Sequence, residues 1–338
     1  MSISVAGGAN VSISINGNQI QDLLHASIST SNLFSADSFA LTFAIGISAV
    51  GDLDFWSSVA TAYVEVSASA HGDILAQVLI TGMIDTILID PLQGTVAIEG
   101  RDLSSSMIDS YRQQDFVNQT ASGIVSTIAQ YHGLGAAIVA TSGSIGRYYG
   151  DGYTRLSLGQ FSRVRSDWDL VVQLARENEF DVFVFGTTLF FQPASSSFAA
   201  PIPIASGDIQ RMRVERALTI TPNASARVQS WNSQYMASYD SHSQQILANA
   251  GNPPFLFSSS NFTSQQVTDS ASRYTAEIGR LATTLHLDMP WDFSLTPRLT
   301  ILLCGTHSFL DRVYRIDSID RHYSSKSGST QSIRAVGI

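Results

Sequence analysis

Apolar and polar side chains alternate along the first hundred residues of the chain. Stretches such as "VSISING", "SFALTFAIG" and "ILAQVLITGMIDTILID" repeat with a period of two and are separated by Gly, Asn and Asp. This period is typical of antiparallel strands with one apolar and one solvated face. Asn16 followed by Gly17 has the chemistry of a tight hairpin turn. The pattern predicts five or six strands in a small barrel or sandwich, which we assign as a first β-barrel over residues 1–104.

The period becomes helical after residue 104. In "NQTASGIVSTIAQYHGLG" the apolar residues recur at helical spacing, with Thr120 as the N-cap and Gly133 as the C-terminal stop. A second helix begins at the capping box formed by Ser166 and Asp169. It leads directly into "FDVFVFGTTLFFQP", which reads as two strands around a Gly-Thr turn. Residues 105–200 are therefore predicted to form an α+β module.

Strand-like alternation returns after a connector rich in Ser, Ala and Pro. It covers residues 201–232 and 288–338, which we predict to form a second β-barrel. Between them, residues 233–287 are predicted to be an inserted excursion with a long helix, because apolar residues follow 4-3-4-3-4 spacing from Val267 to Leu285. The predicted fold class is mostly β with α+β: two small antiparallel β-barrels flanking an α+β module and joined through it.

The composition indicates a subunit of an assembly. The 338 residues are 44% hydrophobic but only 14% charged, so the chain can bury a large core and has little charge to cover a wide solvated surface. No apolar run approaches the roughly 18–20 residues that a membrane-spanning helix needs. The N-terminus shows neither a basic segment nor a hydrophobic block before a cleavage site, so a secretory signal is not expected. Cys304 is the single cysteine, which excludes an internal disulfide.

The net charge of −9 is concentrated in the first third of the chain. Residues 1–104 contain ten acidic residues and one base, Arg101, while acids and bases balance over the remainder. An acidic region repels the phosphates of a nucleic acid, which argues against specific DNA binding there. A solvated acidic face without any partner explains the charge pattern equally well.

The sequence lacks the motifs of common enzyme and metal sites. The seven histidines are far apart and form no H-x-x-x-H pair, and there is no G-x-S-x-G elbow, P-loop or G-x-G-x-x-G turn. Glu177 and Glu179 are two positions apart on a predicted helix, so their carboxylates do not converge on one face. We therefore predict no catalytic residue, no cofactor, no metal site and no enzymatic activity.

Two arginine features are candidates for structural roles. Arg101 and Asp102 follow a strand end and precede a polar stretch, which suits an ion pair at a domain junction better than catalysis. Arg211 and Arg213 lie on one face of a predicted strand, where they could pair with acids of a neighbouring subunit. A merely solvated face explains this second pair equally well.

The stretch "RYYGDGYTR", residues 147–155, is the candidate ligand loop. Its three tyrosines, Tyr148, Tyr149 and Tyr153, are flanked by glycines and arginines and could stack on sugars or bases. A packed surface loop is the alternative interpretation.

Several segments together resemble the phage tail hub family, which includes the late control protein D group, contractile-tail baseplate hubs and the hub part of type VI secretion spikes. They are "IEGRDLSS" at 98–105, "FVNQTASGIVSTIAQYHGL" at 116–134, "SDWDLVVQLARENEFDVFVFGTTLFFQP" at 166–193, "RVQSWN" at 227–232, and the C-terminal "LHLDMPWDFSLTPRLTILLCG" with "RVYRIDSIDRHYSSKSGSTQSIRAVGI". The resemblance depends on their order, which spans most of the chain, rather than on a single motif.

The resemblance implies a homotrimeric hub at the tail tip. Two similar barrels in each of three chains would present six docking surfaces to a tail tube or distal tail protein above, and a threefold base to a spike or tail-tip protein below. DNA would pass through the ring without specific binding. The expected location is the virion of a phage or gene-transfer particle, assembled in the bacterial cytoplasm. A carbohydrate-binding tail-tip adhesin, and then a cell-wall-degrading enzyme, are the alternatives.

A hub of this kind predicts a role for the acidic first third. Acidic side chains on the wall of a channel would keep a polyanion from adhering. The candidate channel-lining residues are Asp22, Asp52, Asp54, Asp73, Asp85 and Asp90.

Overall fold

The computed structural model describes most of the chain. The described residues are 9–32, 34–46, 51–70, 76–111, 115–116, 119–142, 144–145, 156–157, 166–194, 200–218, 225–232, 236–244, 254–259 and 262–337. Twenty-three strands and five helices lie within these ranges. No helix among them is long and apolar enough to cross a lipid bilayer.

The first third forms seven strands and one short helix. They are β1 (Asn10–Ile15), β2 (Asn18–Ile20), β3 (Leu23–Ser31), β4 (Ser38–Ala44), α1 (Leu53–Ser58), β5 (Tyr63–Ser69), β6 (Gln77–Asp90) and β7 (Thr95–Asp102). Burial alternates along these strands as the apolar and polar residues do in the sequence. In β4, for example, Phe39, Leu41 and Phe43 are buried, and the residues between them are not. One core contains residues from every strand of this third together with Trp56 of α1. The sheet must therefore bend around this core.

The middle of the chain is an α+β unit. Its elements are α2 (Ser105–Ile108), β8 (Asp115–Phe116), β9 (Gln119–Thr120), α3 (Ala121–Tyr131), β10 (Gly135–Ile138), β11 (Ser144–Ile145), β12 (Leu156–Ser157), α4 (Asp167–Asn178), β13 (Phe180–Phe185) and β14 (Thr188–Pro193). The predicted caps are present, because Thr120 accepts a hydrogen bond from the Gly123 amide and Ser166 forms a capping box with Asp169. The helices pack on the β10-β14-β13 sheet around a second core.

The last part returns to strands and adds one long helix. Its elements are β15 (Ile202–Ala205), β16 (Arg211–Arg216), β17 (Ser225–Asn232), β18 (Ala237–Gln244), β19 (Phe255–Ser258), α5 (Ser264–Arg280), β20 (Thr283–Pro290), β21 (Thr300–Cys304), β22 (Val313–Ser324) and β23 (Gly328–Gly337). Helix α5 packs on the three-stranded sheet β18-β17-β19. The other strands of this part surround a third core.

The first and last parts share one continuous sheet. Its order is β16-β20-β23-β22-β3-β4-β7-β6-β5-β1-β2, with β21 pairing with β22 and β15 pairing with β21. The junction is the antiparallel pair of β22 with β3, from Ser318 opposite Ser31 to Ser324 opposite His25. Residues almost three hundred positions apart are thus joined by backbone hydrogen bonds.

The prediction of a mostly β fold with an α+β unit is confirmed. Within the described residues, however, the strand pairings do not close either half of the sheet into a barrel. Closure is absent at β22 because the second part of that strand pairs with β3 of the other half. Each half instead bends around its own core.

The long helix is shorter than predicted. The helical pattern was expected to reach Leu285, whereas α5 ends at Arg280 and β20 begins at Thr283. Leu285, Leu287 and Met289 are buried and alternate with half-buried residues, so the period-two pattern prevails over the helical one. The region 236–262, which shows little pattern in the sequence, contains β18 and β19.

Candidate interaction surfaces

The two halves of the large sheet have the same strand order. The first half runs β1-β5-β6-β7-β4-β3 and the second runs β15-β21-β22-β23-β20-β16. The order along the chain also corresponds, with β1, β3, β4, β5, β6 and β7 matched by β15, β16, β20, β21, β22 and β23. One difference is that β1 is antiparallel to β5 whereas β15 is parallel to β21. The chain therefore contains two copies of one structural unit.

A β-bulge marks the same position in both units. The pairing of β6 with β7 shifts at Asp85, and the pairing of β22 with β23 shifts at Asp317. The bulges lie in matching tetrapeptides, "IDTI" at 84–87 and "IDSI" at 316–319. A bulge fixes the register of a strand pair, so the two ladders can be aligned residue by residue. Thr86 then corresponds to Ser318.

The two units differ in what covers the end of the long strand. In the second unit β3 covers residues 318–324 of β22, and Ile319 is fully buried. In the first unit, residues 85–90 of β6 pair only with β7 among the described strands, and the corresponding Ile87 is half-buried. Leu88 is 67% exposed. Among the described residues, the end of β6 is therefore an open sheet edge.

Strand β16 provides a second open edge. It corresponds to β3, but within the described chain it pairs only with β20. Arg211 and Arg213 are exposed on the face that points away from the core, while Val214 packs against the third core. Val214 is half-buried, whereas its counterpart Ile28 in β3 is fully buried. Proteins rarely leave two such edges without a partner or protection.

Arg101 and Asp102 point to opposite faces of β7. Arg101 donates to Asp85 at 2.7 Å and to Asp109 at 2.8 Å, and these carboxylates raise the pKa of its guanidinium. Asp102 is buried and accepts hydrogen bonds from the Ser104 amide and hydroxyl. The structure does not pair these two residues with each other. Arg101 instead connects β6 to the end of α2.

A buried charged cluster lies where the three cores meet. Arg315 of β22 donates to Asp181 of β13 at 2.7 Å, and both side chains are buried. Arg298 stacks on the ring of Phe183 at 3.7 Å and donates to the Ser31 carbonyl at 3.2 Å. These contacts join the second sheet half to the α+β unit and to β3. No local sequence pattern predicts these contacts, because the partners are more than a hundred residues apart.

The carboxyl groups of this cluster have shifted pKa values. Burial, and then the charge of Asp102, raise the pKa of Asp37 to about 7. Burial raises the pKa of Asp102 to about 6. Burial also lowers the pKa of Arg298 to about 10, although Asp37 counteracts this shift. These shifts predict that the stability of the cluster depends on pH.

The predicted acidic residues have different environments. Asp85 and Asp90 lie on the face of β6 that points away from the core, and Asp90 accepts hydrogen bonds from the Leu92 and Gln93 amides. Asp52 caps α1 by accepting from the Phe55 amide at 2.8 Å, and Asp54 is in the first turn of that helix. Asp22 is exposed in a left-handed turn.

Two predicted features fall outside the described residues. They are Asp73 and the candidate ligand loop with Tyr148, Tyr149 and Tyr153. In the part of the chain that the structure does describe, no group of three His, Cys, Asp or Glu side chains is arranged to hold a metal ion. His132 and Asp167 form a buried pair at 2.8 Å that joins the end of α3 to the start of α4.

Two depressions, of about 330 and 290 Å³, lie along strands β3 and β4. The first also borders the β22–β23 hairpin and contains His25 and His322. The second also borders β6 and β7 and contains Asp85, Glu99 and Arg101. Most of the other lining side chains are small, either hydroxyl-bearing or apolar.

Comparison of the fold with solved structures finds tail proteins. The tail protein from Neisseria meningitidis MC58 superposes with a TM-score of 0.76 at 14% identity, over 98% of this chain and 97% of that one. The 43 kDa tail protein of prophage MuSo2 from Shewanella oneidensis gives 0.73 at 14% identity, over 97% and 98%. This chain has the fold of a phage tail protein. The E. coli c3393 protein, a type VI secretion component similar to T4 tail proteins gp27 and gp5, gives 0.57 at 11% identity, over 96% and 76%.

The comparisons of fold confirm the resemblance to tail proteins and type VI secretion components that the sequence predicts. No family model matches the sequence, and no curated protein matches it significantly. At identities of 14% and below, these matches show a shared fold.

Proposed function

We propose that this chain is a structural tail protein that forms a trimeric hub. In the ring, three chains contribute six sheet units, which dock a sixfold tail tube or distal tail protein on one side and a threefold spike or tail-tip protein on the other. The location is the tail of a phage or related particle, assembled in the bacterial cytoplasm. The role is mechanical rather than enzymatic.

The repeated strand order is the observation that carries this proposal. A hub between sixfold and threefold components needs each chain to present two equivalent surfaces. The corresponding strands and the bulges at Asp85 and Asp317 provide two such units in one chain. The shared fold with tail proteins over nearly the whole chain supports the same conclusion.

The polar side chains on the core-distal face of the sheet support the proposal of a DNA channel. Small polar residues such as Ser27, Ser29 and Thr42 line it, and β6 adds Asp85 and Asp90. Hydroxyl groups offer weak, exchangeable contacts, while the carboxylates repel phosphate. The part of this face that carries hydroxyl groups and carboxylates would let DNA slide without being trapped.

Native mass spectrometry of the purified full chain tests the proposed stoichiometry. The expected result is a trimer of about three times 36.4 kDa. The trimer should also bind one copy of a trimeric spike from the same particle. A chain that remains monomeric at every concentration, alone and with its tail partners, would contradict the hub.

A further inference from the structure

We propose that the open edge of β6 pairs with the open edge of β16 in a second copy of this chain. Residues 87–90 of one copy would run antiparallel to residues 213–216 of the next. This inference rests on the proposed hub, and it names the surfaces and the register that would hold the ring together.

The contact within the chain between β22 and β3 gives the register. There Ile319 lies opposite Thr30, and His322 lies opposite Ser27. The matching bulges make Ile87 the counterpart of Ile319 and Asp90 the counterpart of His322.

The other side of the register follows from β4 and β20. Ile28 pairs with Phe39 of β4, and Val214 pairs with Leu285 of β20. Phe39 in the pairing of β4 with β7 and Leu285 in the pairing of β20 with β23 occupy equivalent positions. Val214 is therefore the counterpart of Ile28. The predicted pairs between the copies are Ile87 with Arg216, Leu88 with Glu215, Ile89 with Val214, and Asp90 with Arg213.

Burial favours this pairing. Ile87 and Ile89 face the first core but are only half-buried, as is Val214 at the edge of the third core. The counterpart of Ile87 is Ile319, and the counterpart of Val214 is Ile28. These two lie on opposite sides of the junction within the chain, and both are fully buried. A strand of a second copy would cover these apolar side chains in the same way.

Charge also agrees with the register. Asp90 would lie directly opposite Arg213 on the core-distal face, which places an acid beside a base across the strands. The two edges are different surfaces, so the contact is head-to-tail and generates a closed ring or an open filament. In a closed ring, the junction within each chain and the junction between chains would alternate.

Disulfide cross-linking tests the register directly. The variant carries Leu88→Cys and Glu215→Cys in a Cys304→Ser background, since both target residues are exposed. Mild oxidation should convert more than half of the chain into covalent dimers and trimers, which return to monomers on reduction. Each single-cysteine variant should show less than about one tenth of that product.

A matched control carries Leu88→Cys with Arg211→Cys. Arg211 lies on the same face of β16 as Glu215 but four residues away, roughly 13 Å along the strand. A disulfide needs Cβ atoms about 3.8 Å apart, so this control should not cross-link. A control that cross-links as well as the Leu88 and Glu215 pair would overturn the register.

Amide hydrogen exchange of the unmodified chain provides a second readout. Those amides of residues 87–90 that do not already bond to β7 should exchange at least tenfold more slowly in the oligomer than in a diluted monomer. A native trimer with neither the cross-link nor this protection would refute the edge pairing and leave the hub intact. A chain that is only monomeric would refute both.

Discussion

Asp85 and Asp317 occupy the same place in two halves of one sheet, 232 residues apart in the chain. Each is the bulged residue in a long strand. After Asp317, β22 pairs with β3 as well as with β23, whereas after Asp85 the described part of the chain pairs β6 only with β7. Asp85 pairs with Arg101, while Asp317 is mostly buried, which raises its pKa. The shared bulge shows that the two halves are versions of one unit whose surroundings have diverged.

The buried Arg315–Asp181 pair is predicted to be essential for joining the second half of the sheet to the α+β unit. Asp181→Ala would leave a buried guanidinium without its carboxylate and should lower the free energy of unfolding by about 3–5 kcal/mol. Urea unfolding followed by tryptophan fluorescence measures the change. The double variant Asp181→Leu with Arg315→Met should recover most of the loss.

The exposed Arg227–Asp240 pair on β17 and β18 is the matched control. Its side chains are 46% and 40% exposed, so Asp240→Ala should lower the free energy of unfolding far less than Asp181→Ala does. Equal losses from Asp181→Ala and Asp240→Ala would show that the buried cluster does not hold the units together.

Stability is predicted to fall as the pH rises from about 4 to 7, through Asp37. Its pKa is raised in the folded state from an ordinary 3.8 to about 7, so the folded protein favours the protonated carboxyl. The stability from this group is fully present below pH 3.8 and lost as the pH passes the folded value. The change is on the order of 4 kcal/mol if the unfolded pKa is ordinary.

Asp37→Asn tests this dependence, because asparagine can still accept from the Ser31 amide. The variant should show a smaller decrease in unfolding free energy between pH 4 and pH 7 than the parent. Asp54→Asn, at an exposed helix position, should leave the parent slope unchanged. Parallel pH profiles for the parent and Asp37→Asn would exclude Asp37 as the source.

Gly82 is predicted to be required where β6 and β7 come together. An added Cβ would lie 2.1 Å from the Arg101 carbonyl oxygen, and backbone cannot move aside cheaply. Gly82→Ala should therefore destabilise the chain by about 2 kcal/mol or more, measured as a lower midpoint of thermal unfolding. Gly207→Ala, which meets no atom within 4 Å, should change the midpoint little. Similar midpoints for both variants would contradict the close approach.

Local features of this fold were readable from the sequence. The caps at Thr120 and Ser166 and the alternation in β4 depend on residues close together in the chain, so short patterns predict them. The repeated "IDTI" and "IDSI" tetrapeptides were also present and would have aligned the two units. A match of four residues is weak evidence for a repeat. The bulge that the structure shows in both tetrapeptides is what establishes that they correspond.

The long-range features were not readable. Nothing local indicates that β22 pairs with β3 instead of closing a barrel, because that choice depends on edges brought together by the whole fold. Arg315 and Asp181 likewise meet only after three cores have packed. The end of α5 was misjudged because Leu285 fits both a helical and a strand pattern.

A cryo-electron microscopy reconstruction of the purified oligomer tests the hub most directly. The account predicts three chains around one axis, with six sheet units related alternately by about 60° and with the core-distal face of the sheet toward a central opening. Asp85 and Asp317 should then lie at similar radii and heights in the ring. A particle in which the two units lie at clearly different radii, or in which the core-distal face points outward, would contradict the account.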